Sequence, residues 1–315
     1  MHSKNGKKYF IYKIIILLLL ILIFIIINSK NKNLKKFIIL YRKKSNAGGL
    51  LCYYYRNIGC VHDYLFNGYI PIIDLISHPN IFNGFNTTIT KNPWEIFFNQ
   101  PFNYSLDNVK KKKNIEYAEC RYGKKGPNFS IFFNKIMREY WHNFAKKYVP
   151  IKSEIIQEAN SKFALLFNNS INVLGILIRG TDYIAKKPHG HQIQPNPKTV
   201  FKDIKKMDKK NKYNLLFLTT EDDLIREEFI QEFGKKIKYI KSKTKINYDY
   251  KRKEYLGYNE NIKGNIEFQK IYLINIIILS KCLDIIASKT GGSLVAFILT
   301  KEFRNMIVYS LGHYK

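Results

Sequence analysis

From residue 172 to residue 310, short apolar runs alternate with helical patterns, and this regularity restricts the fold more than any other feature of the chain. The runs 172–178, 214–219, 236–240, 283–287 and 305–310 are strand-length, rich in Ile, Leu and Val, and closed by polar or small residues, as buried strands ending in loops are. Between them, 197–209, 222–233, 265–281 and 292–300 read as helices. The 222–233 segment carries Asp222 and Asp223 at its positive end, a stripe of Leu224, Ile225, Phe229 and Phe233, and Gly234 as a stop. Strands alternating with helices call for an α/β fold with a parallel, Rossmann-like sheet and right-handed crossovers.

The preceding residues are less regular. Ala47-Gly-Gly49 reads as a glycine turn feeding a helix that runs to about Leu65. Residues 69–76 read as a strand with Pro71 near its start, 93–98 as a short helix, 114–118 as a strand, and 132–147 and 153–166 as helices. Residues 243–263 lack periodicity and read as a flexible surface loop, a candidate lid. The expected organisation is a tail over 1–9, a membrane anchor over 10–28, a basic stem over 29–45, an amino-terminal α/β domain over 46–165 and a carboxy-terminal domain over 166–315. The apolar run 10–28 is interrupted by Lys13, which can snorkel, and polar, basic residues follow it in place of a cleavage site. It is therefore read as an uncleaved signal anchor in a lipid bilayer. Lysines flank it on both sides, so its orientation stays open.

The formal net charge is +29, from 53 Lys and Arg against 24 Asp and Glu. Charge of that size fits nucleic acid, anionic lipid or a phosphorylated ligand. The lysines are spread along the chain together with inflated Asn and Ile, which reads as compositional bias and not as a basic face. No nucleic-acid signature accompanies them, and no nucleic-acid partner is expected. Cys52, Cys60, Cys120 and Cys282 match no metal spacing. Cys52 and Cys60 are candidates to pair in an oxidising compartment; free buried thiols are the alternative.

Three loops at expected strand ends carry the chemistry, because ligands of open α/β sheets bind beyond the carboxyl ends of strands. The first is Arg179-Gly-Thr-Asp182. A planar guanidinium forks onto phosphate and offsets charge on a leaving group, Gly180 lets backbone approach closely, and Asp182 either orients Arg179 or accepts a proton. The second is Thr219-Thr-Glu-Asp222, whose Glu221 and Asp222 suit ribose hydroxyls or a helix cap equally well. The third is Ser288-Lys-Thr-Gly-Gly-Ser293. Small residues before an apolar helix free N–H groups for an anion, with Ser288, Thr290, Gly291, Gly292 and Ser293 as candidates. Gly48 and Gly49 offer a similar cradle from the other domain. His191, in the loop that leaves the Arg179 strand end, is either a ligand contact or a surface group. No carboxylate or histidine pattern calls for a metal.

Taken together, these motifs resemble the fucosyltransferase superfamily of α-1,6-fucosyltransferases, chitooligosaccharide fucosyltransferases and protein O-fucosyltransferases, and within it the bacterial surface-polysaccharide type. The resemblance covers roughly residues 47 to 315. Leu177-Ile-Arg-Gly-Thr-Asp182 resembles the family's His-x-Arg-x-Thr-Asp, with Leu177 in the His position. Thr220-Glu-Asp222 resembles its Thr-Asp-Asp strand end, and Ser288–Ser293 its third motif. His191 stands at the spacing of a histidine that follows the first motif. Ala47-Gly-Gly49 and Asn92-Pro-Trp-Glu95 are similar to amino-terminal segments of the bacterial type.

The resemblance implies a two-domain GT-B-type glycosyltransferase. It implies GDP-fucose as donor, a glycan or glycoconjugate hydroxyl as acceptor, inversion at the anomeric carbon, and neither metal nor other cofactor. It places Arg179 on the β-phosphate and Asn275 where relatives use an Asp on guanine. Lys187 stands at the position of a proposed catalytic Glu, so the base is unassigned and Asp182 is the candidate. A donor other than GDP-fucose, or an inactive glycan- or nucleotide-binding homologue, are the alternatives. The expected location is a membrane, with a Golgi-type lumenal catalytic domain in a eukaryote or the cytosolic face of the inner membrane in a bacterium. Arg179→Ala is expected to abolish donor binding with little effect on folding.

Overall fold

The ladders between the named strands are all parallel and fall into two sheets. The computed structural model describes residues 36–42, 49–78, 82, 91–120, 126–168, 172–244, 248–251, 255, 256, 259, 261, 262 and 264–315. In the smaller sheet β1 (Lys36–Tyr41) lies between β2 (Tyr69–Ile73) and β3 (Ile115–Glu119), with Phe37 opposite both Ile70 and Ile115. The reading of 29–45 as a stem is therefore corrected. Lys36 gives the segment its basic look, but Ile38, Ile39 and Leu40 are buried, and the folded unit includes residue 36.

The larger sheet holds β4 (Val173–Leu177), β5 (Leu215–Thr219), β6 (Ile237–Lys238), β7 (Asp284–Ser288) and β8 (Met306–Tyr309) in the order β6-β5-β4-β7-β8. This is the Rossmann order, in which the chain reverses direction across the sheet between β4 and β7. The helices are α1 (Leu50–Phe66), α2 (Pro93–Phe97), α3 (Leu106–Lys110), α4 (Lys135–Tyr148), α5 (Ser153–Phe167), α6 (Thr181–Ala185), α7 (Pro197–Asn211), α8 (Asp223–Phe233), α9 (Ile266–Leu279) and α10 (Gly291–Leu299).

Alternation along the strands divides the core. Leu174, Ile176, Leu216 and Leu218 face α7 and α8, where Val200, Phe201, Ile204, Ile225 and Phe229 meet them. Val173, Leu177 and Phe217 face the opposite way, into a cluster that also takes in α1, α4, α5, α9 and α10. Helix α9 is apolar almost all round, as a helix buried on several sides must be. The expected domain boundary at 165/166 falls inside α5. That helix belongs with the larger sheet by its contacts, Phe167 meeting Phe217 edge-on at 5.7 Å.

At the amino end of β7, Asp284 is fully buried. It accepts hydrogen bonds from Arg304 Nε at 3.0 Å, the Asn305 N–H at 2.8 Å and the Tyr213 hydroxyl. Asn92 and Gln100 tie the end of β2. Both side-chain amides donate to the Ile73 carbonyl at 2.7 Å, and Trp94 is buried between them and α1. Asn92-Pro-Trp-Glu95 is thus a scaffold segment.

A disulfide joins Cys60 of α1 to Cys120 just after β3, while Cys52 and Cys282 are free. Pairing of Cys52 with Cys60 is excluded: eight residues apart on one helix puts them about 12 Å from each other, beyond disulfide reach. The expected anchor 10–28 and Gly48 lie outside the described residues, and among those described no helix is long and apolar enough to cross a membrane. The 60-residue separation of the paired cysteines sets the stability they add. Reduction, or replacement of both by Ala, is expected to lower unfolding free energy by about 2–4 kcal/mol, measured by denaturant titration at constant m-value.

Candidate functional site

The carboxyl ends of β4, β5 and β7 converge at the switch point of the larger sheet, and Arg179 stands at its centre. Its side chain is only 16% exposed. Nη2 lies 3.2 Å from Asp182 Oδ1 and Nε lies 3.0 Å from Glu221 Oε1, though the Nε–H does not point at that oxygen. Burial alone would lower the Arg179 value, but Glu221 and Asp182 outweigh it and hold the guanidinium well above its ordinary range. The cation is fixed before any ligand arrives.

The two carboxylates are held from different loops. Glu221 Oε1 accepts from the Gly180 N–H at 2.9 Å and the Thr181 hydroxyl at 3.0 Å. Asp182 Oδ1 also accepts from Thr181 Oγ1, and Oδ2 accepts from the Leu256 N–H at 3.2 Å. Asp182 is 6% exposed. Its contacts make it the residue that orients Arg179 and leave neither oxygen turned to the cleft as a base. Thr181 has φ 38°, a left-handed conformation that costs a β-branched residue about 1–3 kcal/mol. The strain lets one residue present both its N–H and its hydroxyl to the second loop.

Asp222 resolves to the cap reading. Oδ1 accepts from the N–H groups of Leu224 and Ile225, and Oδ2 from the Thr181 N–H at 2.8 Å and Tyr250 Oη at 2.6 Å. Gly180 is required here, because a Cβ would sit 2.2 Å from Asp222 Oδ2. Ser288, Thr290 and Ser293 are likewise spent internally. Thr290 and Ser293 form a capping box on α10, Ser293 Oγ donates to the Ser288 carbonyl at 2.6 Å, and Ser288 Oγ donates to Gln194 Oε1 at 2.5 Å. What the third loop leaves uncommitted is backbone: the N–H groups of Gly291, half-buried, and Gly292, buried, head α10 without intrahelical partners. A Cβ on Gly291 would meet Tyr55 at 3.3 Å and the Cys52 nitrogen at 4.0 Å, so the first turn of α1, capped by Gly49, faces that of α10.

A cleft of about 600 Å³, counting its open mouth, lies beside Arg179 and is lined by Thr219, Glu221, Ile271, Tyr272 and Asn275. Asn275 is buried on α9, and its Nδ2 donates to the carbonyls of Ile271 at 3.0 Å and Ile240 at 3.3 Å. Its Oδ1 is buried without a partner, and so is Thr219 Oγ1. Each such orphan costs about 1–3 kcal/mol unless a ligand meets it.

Several participants were not read from the sequence. Tyr272 lines the cleft with Arg179, and a Cβ on Gly292 would lie 2.6 Å from its hydroxyl. Its i, i+3 spacing to Asn275 on one helix was the available signal. Gln194, Tyr183 and Tyr250 gave none. Residues 243–263 are also not simply a loop in solvent: among those described, Leu256 and Ile262 are buried and Tyr250 and Leu256 bond to the site. His191 is exposed and stacks near Tyr183, with ring centroids 5.3 Å apart. Among the described residues no group of three His, Cys, Asp or Glu is placed to hold a metal ion.

No family model and no curated protein matches the chain. Its fold is similar to solved fucosyltransferases. A NodZ α-1,6-fucosyltransferase soaked with GDP-fucose aligns at 14% identity and TM-score 0.44 over 84% of this chain and 93% of that one. Fucosyltransferase NodZ from Bradyrhizobium aligns at 13% and TM-score 0.44 over the same shares. POFUT1 in complex with GDP aligns at 8% and TM-score 0.45 over 88% of this chain and 98% of that one.

Arg179→Ala leaves two buried carboxylates unpaired and is expected to destabilise the fold by about 3–5 kcal/mol, contrary to a purely functional role. Arg179→Lys keeps the charge, loses the fork and destabilises less. Urea unfolding of both variants checks the difference.

Proposed function

We propose that the chain is a membrane-anchored, inverting glycosyltransferase that takes fucose from GDP-fucose to a glycan or glycoconjugate hydroxyl. The observation that carries this is the pairing of two orphaned acceptors, Asn275 Oδ1 and Thr219 Oγ1, with the preset Arg179 cation in one cleft. A ligand answering both must offer hydrogen-bond donors at one end and a dense negative charge at the other, as a nucleoside diphosphate does. Asn275 does not count against guanine. Its amide is consumed by backbone carbonyls, so it offers the cleft an acceptor, as an aspartate would. Guanine carries two adjacent donors, N1–H and the exocyclic amine, to meet it. The N–H groups at the head of α10 extend the anion site.

In this scheme Arg179 holds the β-phosphate and takes up charge as the C–O bond to it breaks, Glu221 lies against the ribose, Asp182 orients Arg179 and Asp222 caps α8. Residues 10–28 tether the domain to a bilayer. The Cys60–Cys120 disulfide favours an oxidising compartment, hence the lumenal side of a secretory membrane. The alternative of an inactive nucleotide-binding homologue is favoured by the absence, among the described residues, of an unengaged carboxylate beside Arg179 and predicts binding without turnover.

A thermal-shift series with GDP, UDP and ADP should show GDP stabilising most, and GDP-fucose should release GDP. Asn275→Leu should weaken GDP binding about 10- to 100-fold. A chain that no nucleotide stabilises, yet binds DNA with a steep salt dependence, would remove the reading.

A further inference from the structure

We propose that His191 is the general base of the transfer, accepting the proton of the incoming hydroxyl; this rests on the nucleotide-sugar reading above. An inverting displacement brings the acceptor in on the face of the anomeric carbon opposite the departing phosphate. Groups bonded to the phosphate-holding arginine therefore sit on the wrong side. Asp182 and Glu221 both contact Arg179, and Asp222 caps α8. Lys187 is exposed, and its ammonium offers donors only.

His191 is one ring removed from the phosphate side. The Tyr183 ring has Arg179 Cζ 4.8 Å from its centroid and the imidazole centroid 5.3 Å from it. Tyr255 lies on at 6.4 Å. The loop that presents the imidazole is pinned although it contains Pro and Gly. The His191 N–H donates to the Pro188 carbonyl, and the His191 carbonyl accepts from the Tyr314 N–H at 2.9 Å. Gly190 N–H donates to the Tyr314 carbonyl at 2.9 Å and Ile193 N–H to the Gly312 carbonyl at 3.0 Å. The Gln192 side chain bonds to His313. A short antiparallel ladder thus fixes the backbone while the ring stays exposed.

The charged groups facing the ring come from three elements. Burial lowers the imidazole below its ordinary value, Asp182 of α6 opposes this, and Arg179 at the end of β4 and Arg56 of α1 add to it. Lys186 lies 4.3 Å from the Tyr255 ring centroid, and Tyr183 is pushed up to about 12 by burial and stays neutral. At pH 7 the ring is unprotonated and able to accept. In the step, the acceptor oxygen bonds to the anomeric carbon and that carbon's bond to the β-phosphate oxygen breaks. The electron pair leaves on the phosphate against Arg179, and the hydroxyl proton passes to an imidazole nitrogen and then to water.

The test uses the full chain, GDP-fucose, and two nucleophiles, water and azide. Azide carries no proton, so its reaction needs no base. His191→Ala should lose hydrolysis by about 100-fold or more, keep GDP affinity within about twofold, and recover GDP release, with formation of fucosyl azide, when azide is added. The wild-type hydrolysis rate should fall as pH drops through the lowered imidazole value, and His191→Gln should lack that limb. Equal loss of the water and azide reactions, or hydrolysis retained with the acid limb intact, overturns the assignment while the donor reading stands. A wild-type chain that neither binds GDP nor releases it from GDP-fucose overturns both.

Discussion

A guanidinium held below the surface at the carboxyl edge of a parallel sheet is the constraint from which the rest of this architecture follows. Arg179 is paired there with two carboxylates, and the loop after β4 supplies only one of them, Asp182. The other, Glu221, comes from the neighbouring strand end, which must approach so closely that Gly180 has no room for a side chain. Thr181 is driven into a left-handed conformation to serve that loop, and Asp222 caps α8 while bracing Thr181. Tyr272, which lines the cleft with Arg179, crowds Gly292 at the head of α10. Buried ion pairs add little to stability compared with well-packed apolar side chains. The reason for this one is chemical: a cation preset where phosphate charge would develop.

The opposite edge of the sheet gives the contrast. Asp284 is fully buried, and Arg304, Tyr213 and Asn305 satisfy it from three sides. One edge has its polar groups closed among themselves; the other leaves Asn275 Oδ1 and Thr219 Oγ1 without partners. That asymmetry, more than the depth of the cleft, distinguishes a locking network from a receiving one.

Much of this was legible in the order of residues. The apolar runs and helical patterns after residue 172 located all five strands of the larger sheet to within two residues of their ends, because each apolar run is bounded by a turn or a cap. Arg179, Glu221 and Asn275 were legible from their places at strand ends or by resemblance. What escaped depended on pairing at a distance. Lys36–Tyr41 looked like a tether because its lysine obscured a four-residue apolar core that becomes a strand only between β2 and β3. The partner of Cys60 is 60 residues away and no local pattern identifies it. Ser288, Thr290 and Ser293 had the composition of an anion loop, but their hydroxyls turn inward and bond within the loop and to Gln194. Residues 243–263 have no period, since Tyr250, Leu256 and Ile262 are anchored one at a time by different parts of the fold.

The ladder between residues 190–193 and 312–314 ties the loop bearing His191 to a segment that lies beyond every strand and helix of the larger sheet. The sheet does not lean on that segment, so loss of residues 312–314 would leave the cleft beside Arg179 whole and the imidazole without its anchor.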